Sequence, residues 1–415
     1  MTEILKPENA DQVLEAIKWA VAEKASFELR SGGTKASLGR PTADTRILDL
    51  STLSGISFYE PEELVLSAAA ATPMSEIQAA LDENNQQMAF EPPDLSGLLG
   101  SSGEAAQLGG SLAGTLACNL AGPRRIKAGA ARDHFLGFRA VSGRGESFKC
   151  GSRVVKNVTG FDLSKLIAGS HGTLAVITEA TIKVLPTPEK TRTVLVRWAQ
   201  DGIYDHGGIK AMSDAMTSAH EVSSAVHLPA GLAKLSEVEL VAETGRAITA
   251  IRIEGPEPSV EHRCRELRQL LSQYGATEEL HSANSKIFWH EIRDVKYFTH
   301  EMQRHIWRLS VPPAEGSRVA LKILEGNPGE ALYDWGGGLI WLALEPKDNA
   351  HADVVRRYVD EAGGHATLFR APDDVRRQVP VFQPLEGPIN DITKRIKEGF
   401  DPHGILNPGR MYEEI

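Results

Sequence analysis

With 41% apolar and 24% charged residues, the chain of 415 residues has the composition of a globular protein, and it is long enough for two hydrophobic cores. Its formal charge of -10 argues against a nucleic-acid surface, which needs a basic stripe, and against direct adhesion to anionic lipid. Met1 to Gln12 has neither a basic start nor an apolar run, and apolar stretches such as Leu64 to Ala71 are too short to span a bilayer. A cytoplasmic chain is expected, reaching a membrane only through a partner.

Pro7 to Lys24 reads as an amphipathic helix, with Val13, Ile17 and Ala20/Val21 on one stripe and Pro7 suited to the first turn. A short alternating strand, Ser26 to Arg30, runs into Ser31-Gly32-Gly33-Thr34-Lys35. Ile47 to Leu50 and Leu64 to Ala70 are further predicted strands. Thr72 is expected to cap a helix that begins at Pro73 and continues to about Leu81. Asp94 to Gly122, rich in Gly, Ser and Ala, is predicted as a long loop holding a short helix, and such loops usually carry function.

Two strands follow, Leu136 to Val141 and Glu146 to Cys150, joined through Ser142-Gly143-Arg144-Gly145. Asp162 to Ala168 reads as a short helix and Thr173 to Leu185 as a long strand. Pro186-Thr187-Pro188 then marks a domain boundary. Beyond it, strands alternate with amphipathic helices such as Val260 to Tyr274 and Asp353 to Ala362, the pattern of an α+β domain.

The three cysteines, Cys118, Cys150 and Cys264, form no C-x-x-C pair, so they can assemble neither a zinc site nor an iron–sulfur cluster. Glycine-rich turns whose amides can meet a diphosphate occur twice. The first is Arg30 to Lys35, where Ser31 and Thr34 add hydroxyls, although a hairpin tip would look the same. The second runs from Ser111 through Gly114, Thr115 and Asn119 to Gly122-Pro123-Arg124-Arg125, and it could equally be a small-residue packing surface. No G-x-G-x-x-G opens a helix after a strand, no G-x-x-x-x-G-K-[ST] occurs, and Gly336-Gly337-Gly338 leads into the predicted strand Leu339 to Leu344.

The order of segments resembles the FAD domain of the vanillyl-alcohol-oxidase, or PCMH-type, superfamily. Arg30 to Lys35 is similar to its R-x-G-G-x-S turn, Leu48 to Ser51 to L-D-L-S, and Ser111 to Gly122 to T-I-G-G-N-x-A-x-N-x-x-G, with Ala113 where Gly is usual. Arg132 to Gly137 matches R-D-x-x-L-G, and Lys156 to Leu163 matches K-N-x-T-G-Y-D-L with Phe161 for Tyr. Gly169 to Glu179 matches G-S-x-G-T-L-G-V-I-T-E with Ala175 for Gly, and Phe400 to Gly409 matches F-D-P-x-G-I-L-N-P-G. Seven blocks in order cover about half the chain.

The resemblance implies a PCMH-type FAD-binding domain of two α/β subdomains over residues 1–187. An α+β cap domain of the FAD-linked-oxidase type over 188–385 and a C-terminal segment, 386–415, returning to the first domain complete the expected α+β fold. Arg30, Ser31, Gly32, Gly33, Thr34 and Lys35 would wrap the pyrophosphate. Ser111, Gly114, Thr115, Asn119 and Gly122 would line the flavin and phosphate channel. Backbone near Val176 and Ile177 would meet the adenine, and Asn407 would bring the C-terminus back. Arg30 to Gly39 contains no His or Cys for a covalent flavin bond, so FAD is expected to be non-covalent.

Catalytic relatives that oxidise 2-hydroxy acids show H-x-x-G-x-G-x-x-H and a later E-H, which hold a metal. Here those places read Asp334 to Trp341 and Gly363 to Arg370, without the histidine pair or the E-H, so no metal is expected. His300 and His305, five apart, suit a solvated helix face better than a ligand pair. The D-W-G-G and G-G-H-A-T-L-F-R variants resemble the E-subunit family of bacterial glycolate oxidases. That likeness implies an FAD-dependent oxidoreductase acting on CH–OH groups in small 2-hydroxy acids. It would work beside a catalytic D-type FAD subunit and an iron–sulfur F-type subunit, with hydride from the substrate α-carbon passing to flavin in the complex. A stand-alone dehydrogenase and a flavin-free scaffold remain alternatives. The general base is unassigned; His365 with Arg370, and Lys156 beside Asn157, are the candidates, and His171 is expected to be structural.

Overall fold

A computed structural model describes residues 3–42, 45–152, 160–198 and 204–415. Two compact units emerge, one of Met1–Ala121, Gly129–Thr187 and Pro380–Ile415, the other of Gly122–Ala128 and Pro188–Val379. The chain thus enters the second unit briefly before Thr187, and its return to the first begins at Pro380, earlier than residue 386.

In the first unit, strands Ile4–Leu5, Arg46–Asp49 and Phe27–Arg30 form a parallel sheet in that spatial order. The helix Ala10–Glu23 lays Val13, Ile17 and Ala20 on it, all fully buried. Asn9 caps that helix by accepting the amide of Gln12, and Lys24 at φ 52° closes it. Pro7 therefore precedes the helix instead of occupying its first turn.

A five-stranded antiparallel sheet follows in the order Ile56–Glu60, Val65–Ala69, Ala175–Lys183, Phe135–Ser142, Ser147–Gly151. Its helix Met74–Asp82 starts after an extended Pro73; Thr72 is no cap, because its hydroxyl donates to the Ala69 carbonyl at 2.8 Å. The predicted loop from Asp94 to Gly122 holds three short helices, Ser96–Leu99, Glu104–Gln107 and Leu112–Ala117.

The second unit is one eight-stranded antiparallel sheet, ordered Ala276–Leu280, Lys190–Arg197, Ile248–Gly255, Ser224–Leu228, Gly329–Asp334, Leu339–Leu344, His305–Ser310, His365–Arg370. Helices Glu257–Leu271 and Ala352–Glu361 bury Val260, Cys264, Leu267, Val355 and Val359. The predicted helix face bearing His300 and His305 is not formed. His305 begins a strand and is buried on the same face as Trp307 and Leu309, and the alternation of Trp307 to Ser310 is the period of a half-covered strand. No helix among the described residues is long and apolar enough to cross a membrane.

Candidate functional site

The strand Phe27–Arg30 pairs with Arg46–Asp49 up to Arg30↔Asp49, and then the ladder stops. The chain turns through Gly32 at φ 134° and Gly33 at φ 76°, a backbone that L side chains rarely adopt. Among the described residues, no acceptor takes the amide N–H of Ser31, Gly32, Gly33, Thr34 or Lys35. Successive unused donors on a tight turn are what an anion-binding concavity is built from.

The turn is braced from below. Arg30 donates two hydrogen bonds to Glu28, at 3.0 and 3.1 Å, and so is not free for a ligand. Arg410, from the C-terminal segment, donates to Glu28 at 3.1 Å and to the Ala36 carbonyl at 2.8 Å. Burial works against the Glu28 charge, but the Arg30 bond and the charges of Arg410 and Arg30 hold its carboxyl below the ordinary range.

The second small-residue segment meets the first. A Cβ added to Gly110 would lie 2.7 Å from Lys35 Nζ and 2.8 Å from Thr34 Oγ1. Its amides, unlike those of the first turn, are largely occupied. Leu112 donates to Thr72 O, Ala113 to Ala70 O, and Gly114 to Ser111 Oγ. The segment therefore supplies a smooth wall of Ala113, Gly114 and Ala117 more than an amide cradle.

The cleft between the two turns has a volume of about 780 Å³, counting its open mouth. Of the expected site residues, Arg30, Ser31, Gly33, Thr34, Lys35, Ser111, Gly114, Ile177 and Asn407 line it. Five do not. Gly32 turns outward to solvent. Asn119 accepts the amide of Arg132 at 3.0 Å. Val176 is fully buried in the core and pairs with Val141. Thr115 lies beneath the wall, its hydroxyl buried with no hydrogen-bond partner among the described residues. Gly122 belongs to the second unit, where its carbonyl accepts Trp335 Nε1 at 3.1 Å. Asn407 is a strut: Oδ1 accepts the Leu29 amide at 2.9 Å, and Nδ2 donates to the His171 carbonyl at 2.8 Å.

Three ionisable lining residues went unforeseen as such: Cys118, His171 and Arg410. A basic residue directly after the matched Asn407-Pro408-Gly409 was the available signal for Arg410. Cys118 Sγ lies 3.7 Å from His171 Nδ1. Burial, with Arg410 nearby, lowers the His171 pKa to about 3, and burial raises that of the Cys118 thiol against the charges of Lys35 and Arg410. At neutral pH the pair is an uncharged imidazole beside a thiol.

These features suit FAD. A dianionic diphosphate needs donors and positive charge, and among the residues lining the cleft the turn offers the unused amides of Ser31, Gly33, Thr34 and Lys35 beside the Lys35 ammonium. Burial depresses the Lys35 pKa and the charge of Asp94 only partly offsets it, so an anion would repair its lost hydration. Small residues along the far wall, Gly172 and Ala175 among them, leave width for a planar ring.

In the second unit His365 and Arg370 stand at opposite ends of one strand, and Arg370 donates to the carbonyls of Phe298, Glu301 and Arg304. It is a structural clamp, not half of a catalytic pair. Lys156 and Asn157 lie outside the described residues. Among those described, no three His, Cys, Asp or Glu side chains are grouped as a metal site.

Residues 2–151 match the family of the FAD binding domain. Glycolate oxidase subunit GlcE of Escherichia coli (strain K12) is 34% identical over 403 residues, 97% of each chain. Glycolate oxidase subunit GlcD of Bacillus subtilis (strain 168) is 23% identical over 440 residues, covering 99% of this chain and 88% of that one. The solved structure of p-cresol methylhydroxylase with substrate bound superposes with a TM-score of 0.73 over 99% of this chain and 88% of that one. At 14% identity it speaks for the PCMH-type fold alone. With a third of its residues shared along nearly its whole length, the chain belongs to the glycolate oxidase subunit GlcE family of FAD-binding oxidoreductases.

Proposed function

We propose that this chain is an FAD-carrying subunit of a multi-subunit glycolate oxidase. In that complex glycolate, or a related small 2-hydroxy acid, is oxidised to the 2-oxo acid beside a catalytic D-type subunit, and electrons leave through an iron–sulfur partner. The observation that carries the reading is the run of unused amides from Ser31 to Lys35, closed by a partly buried ammonium and facing a wall of small residues. Likeness to two glycolate oxidase subunits supports the substrate class and the shared assembly.

When bound, FAD supplies an acceptor for the two electrons released from a C–H bond. The amides of Ser31 to Lys35 would hold its diphosphate, with Lys35 neutralising charge. Glu28 keeps the turn in shape by holding Arg30 and Arg410 at once. Asn407 ties the strand ahead of the turn to the loop at His171, fixing the width of the cleft. Attachment is non-covalent in this reading. Cys118 remains a thiol and not a nucleophilic thiolate, and the imidazole of His171 is packed against Phe382 with ring centres 4.8 Å apart.

The test is the absorption spectrum of the purified chain and the mass of whatever acid releases from it. Bound FAD, fully released, is expected. Gly110→Val should purify without flavin, because its side chain would enter the space of Thr34 and Lys35 from a backbone at φ 79°. A colourless wild-type chain that takes up no added FAD would refute the proposal.

A further inference from the structure

The second unit contains an arginine, Arg308, that is held by aromatic rings and by no ion pair or hydrogen bond among the described residues. Arg308, on the strand His305–Ser310, is the cross-strand partner of Trp341, so both side chains rise from one face of the sheet. The opposite face holds the fully buried Trp307 and Leu309. The Arg308 guanidinium lies 5.1 Å from the ring centre of Trp335 and 5.8 Å from that of Trp341. Arg125 stacks on the same Trp335 ring at 4.2 Å. Trp335 is held in place, its Nε1 donating to Gly122 O at 3.1 Å and its backbone turned to φ 52°.

Among the described residues, Arg308 donates no hydrogen bond and makes no ion pair. Asp334, the carboxylate whose charge reaches it, is occupied by the amide of Trp335 at 2.6 Å. Burial and Arg125 pull the Arg308 pKa down to about 10, against the pull of Asp334. Among the described residues two further groups have no hydrogen-bond partner: the indole N–H of Trp341, and the imidazole of the solvent-exposed His365, whose pKa is lowered by desolvation and by the charges of Arg308 and Arg125. A partly desolvated guanidinium fork, a second cation on the same indole and an idle N–H make a poor protein core. They make a good carboxylate receptor, since a planar anion satisfies the fork with two parallel hydrogen bonds between aromatic walls.

We propose that Arg308, with Arg125 beside it and the indole N–H of Trp341, binds the carboxylate of a small hydroxy acid, and that His365 receives the hydrogen bond of its hydroxyl. The proposal rests on the hydroxy-acid reading given above and places a binding site for that substrate class in this chain itself.

The experiment titrates the full chain with glycolate, and separately with inorganic phosphate, following tryptophan fluorescence and heat. Glycolate is expected to bind saturably, and Arg308→Met to weaken it by ~30-fold or more, as for loss of one partner of a desolvated charge pair. Arg308→Lys, which keeps charge but not the fork, should fall between. Flavin absorbance should be unchanged in Arg308→Met and its melting temperature unchanged or raised, whereas loss of a merely structural arginine would lower it. Arg125→Gln is the second variant, should the first not fold, and should weaken glycolate in the same direction. Equal binding by wild type and both variants overturns the site, as does phosphate binding as tightly as glycolate. If the chain binds no glycolate while the oxidase reassembled with its partners still oxidises it, the site falls and the functional reading stands. If the reassembled oxidase is also inert toward glycolate, both fall.

Discussion

Replacing Lys35 by methionine separates a ligand-binding role from a structural one, because the two predict opposite changes in the same protein. The ammonium is partly buried, its only described hydrogen bond is a 3.5 Å contact with Thr34 Oγ1, and burial lowers its pKa. Methionine has nearly the same length and no charge. In the flavin-free chain the substitution relieves desolvation, and a gain of ~1 kcal/mol corresponds to a rise of ~2–4 °C in the melting temperature of a unit this size. With FAD the sign reverses. The loss of a charge-assisted contact to the diphosphate, ~1.5–3 kcal/mol, weakens binding by ~10–150-fold. Deflavinated wild type and Lys35→Met would be compared by calorimetry and by titration with FAD, following flavin fluorescence. A variant that melts lower than wild type without FAD, yet binds FAD with unchanged affinity, would refute the assignment of Lys35 to the phosphates.

His171 adds a pH dependence. Its folded pKa of about 3 lies below the ordinary imidazole value of 6.5, so between these values the unfolded chain binds the extra proton. Stability should fall as pH drops below 6.5, by up to ~1.4 kcal/mol per unit, and level off near pH 3. Urea unfolding across that range should show this component flattened in His171→Gln. Lys397 donates to Asp401 at 2.7 Å and to the carbonyls of Thr173 and Leu406, while Asp401 accepts the amides of Ile405 and Leu406. Lys397→Met strands a buried carboxylate and should cost ~3–5 kcal/mol in urea unfolding, with part of it recovered in the double variant with Asp401→Asn.

What the sequence determined by itself is local. The stripe of Val13, Ile17 and Ala20, the strand entering Ser31 to Lys35, and the change of pattern at Pro186 to Pro188 follow from side-chain periodicity and from the torsional freedom of Gly and Pro. Even so, local signals misplaced ends: Asn9, not Pro7, opens the first helix, and Thr72 bonds backward to Ala69. Only the tertiary structure decided which small residues face the cleft. Ser111 and Asn119 look alike as polar groups in one segment, but the hydrogen bond from Arg132 draws Asn119 away. Likewise, no pattern near residue 30 announces Arg410, which braces that turn across 382 positions of chain, or joins Arg125 and Arg308 on one indole. Periodicity reports the face of an element, whereas a site is made where elements distant in sequence meet, and that depends on the packing of the whole unit.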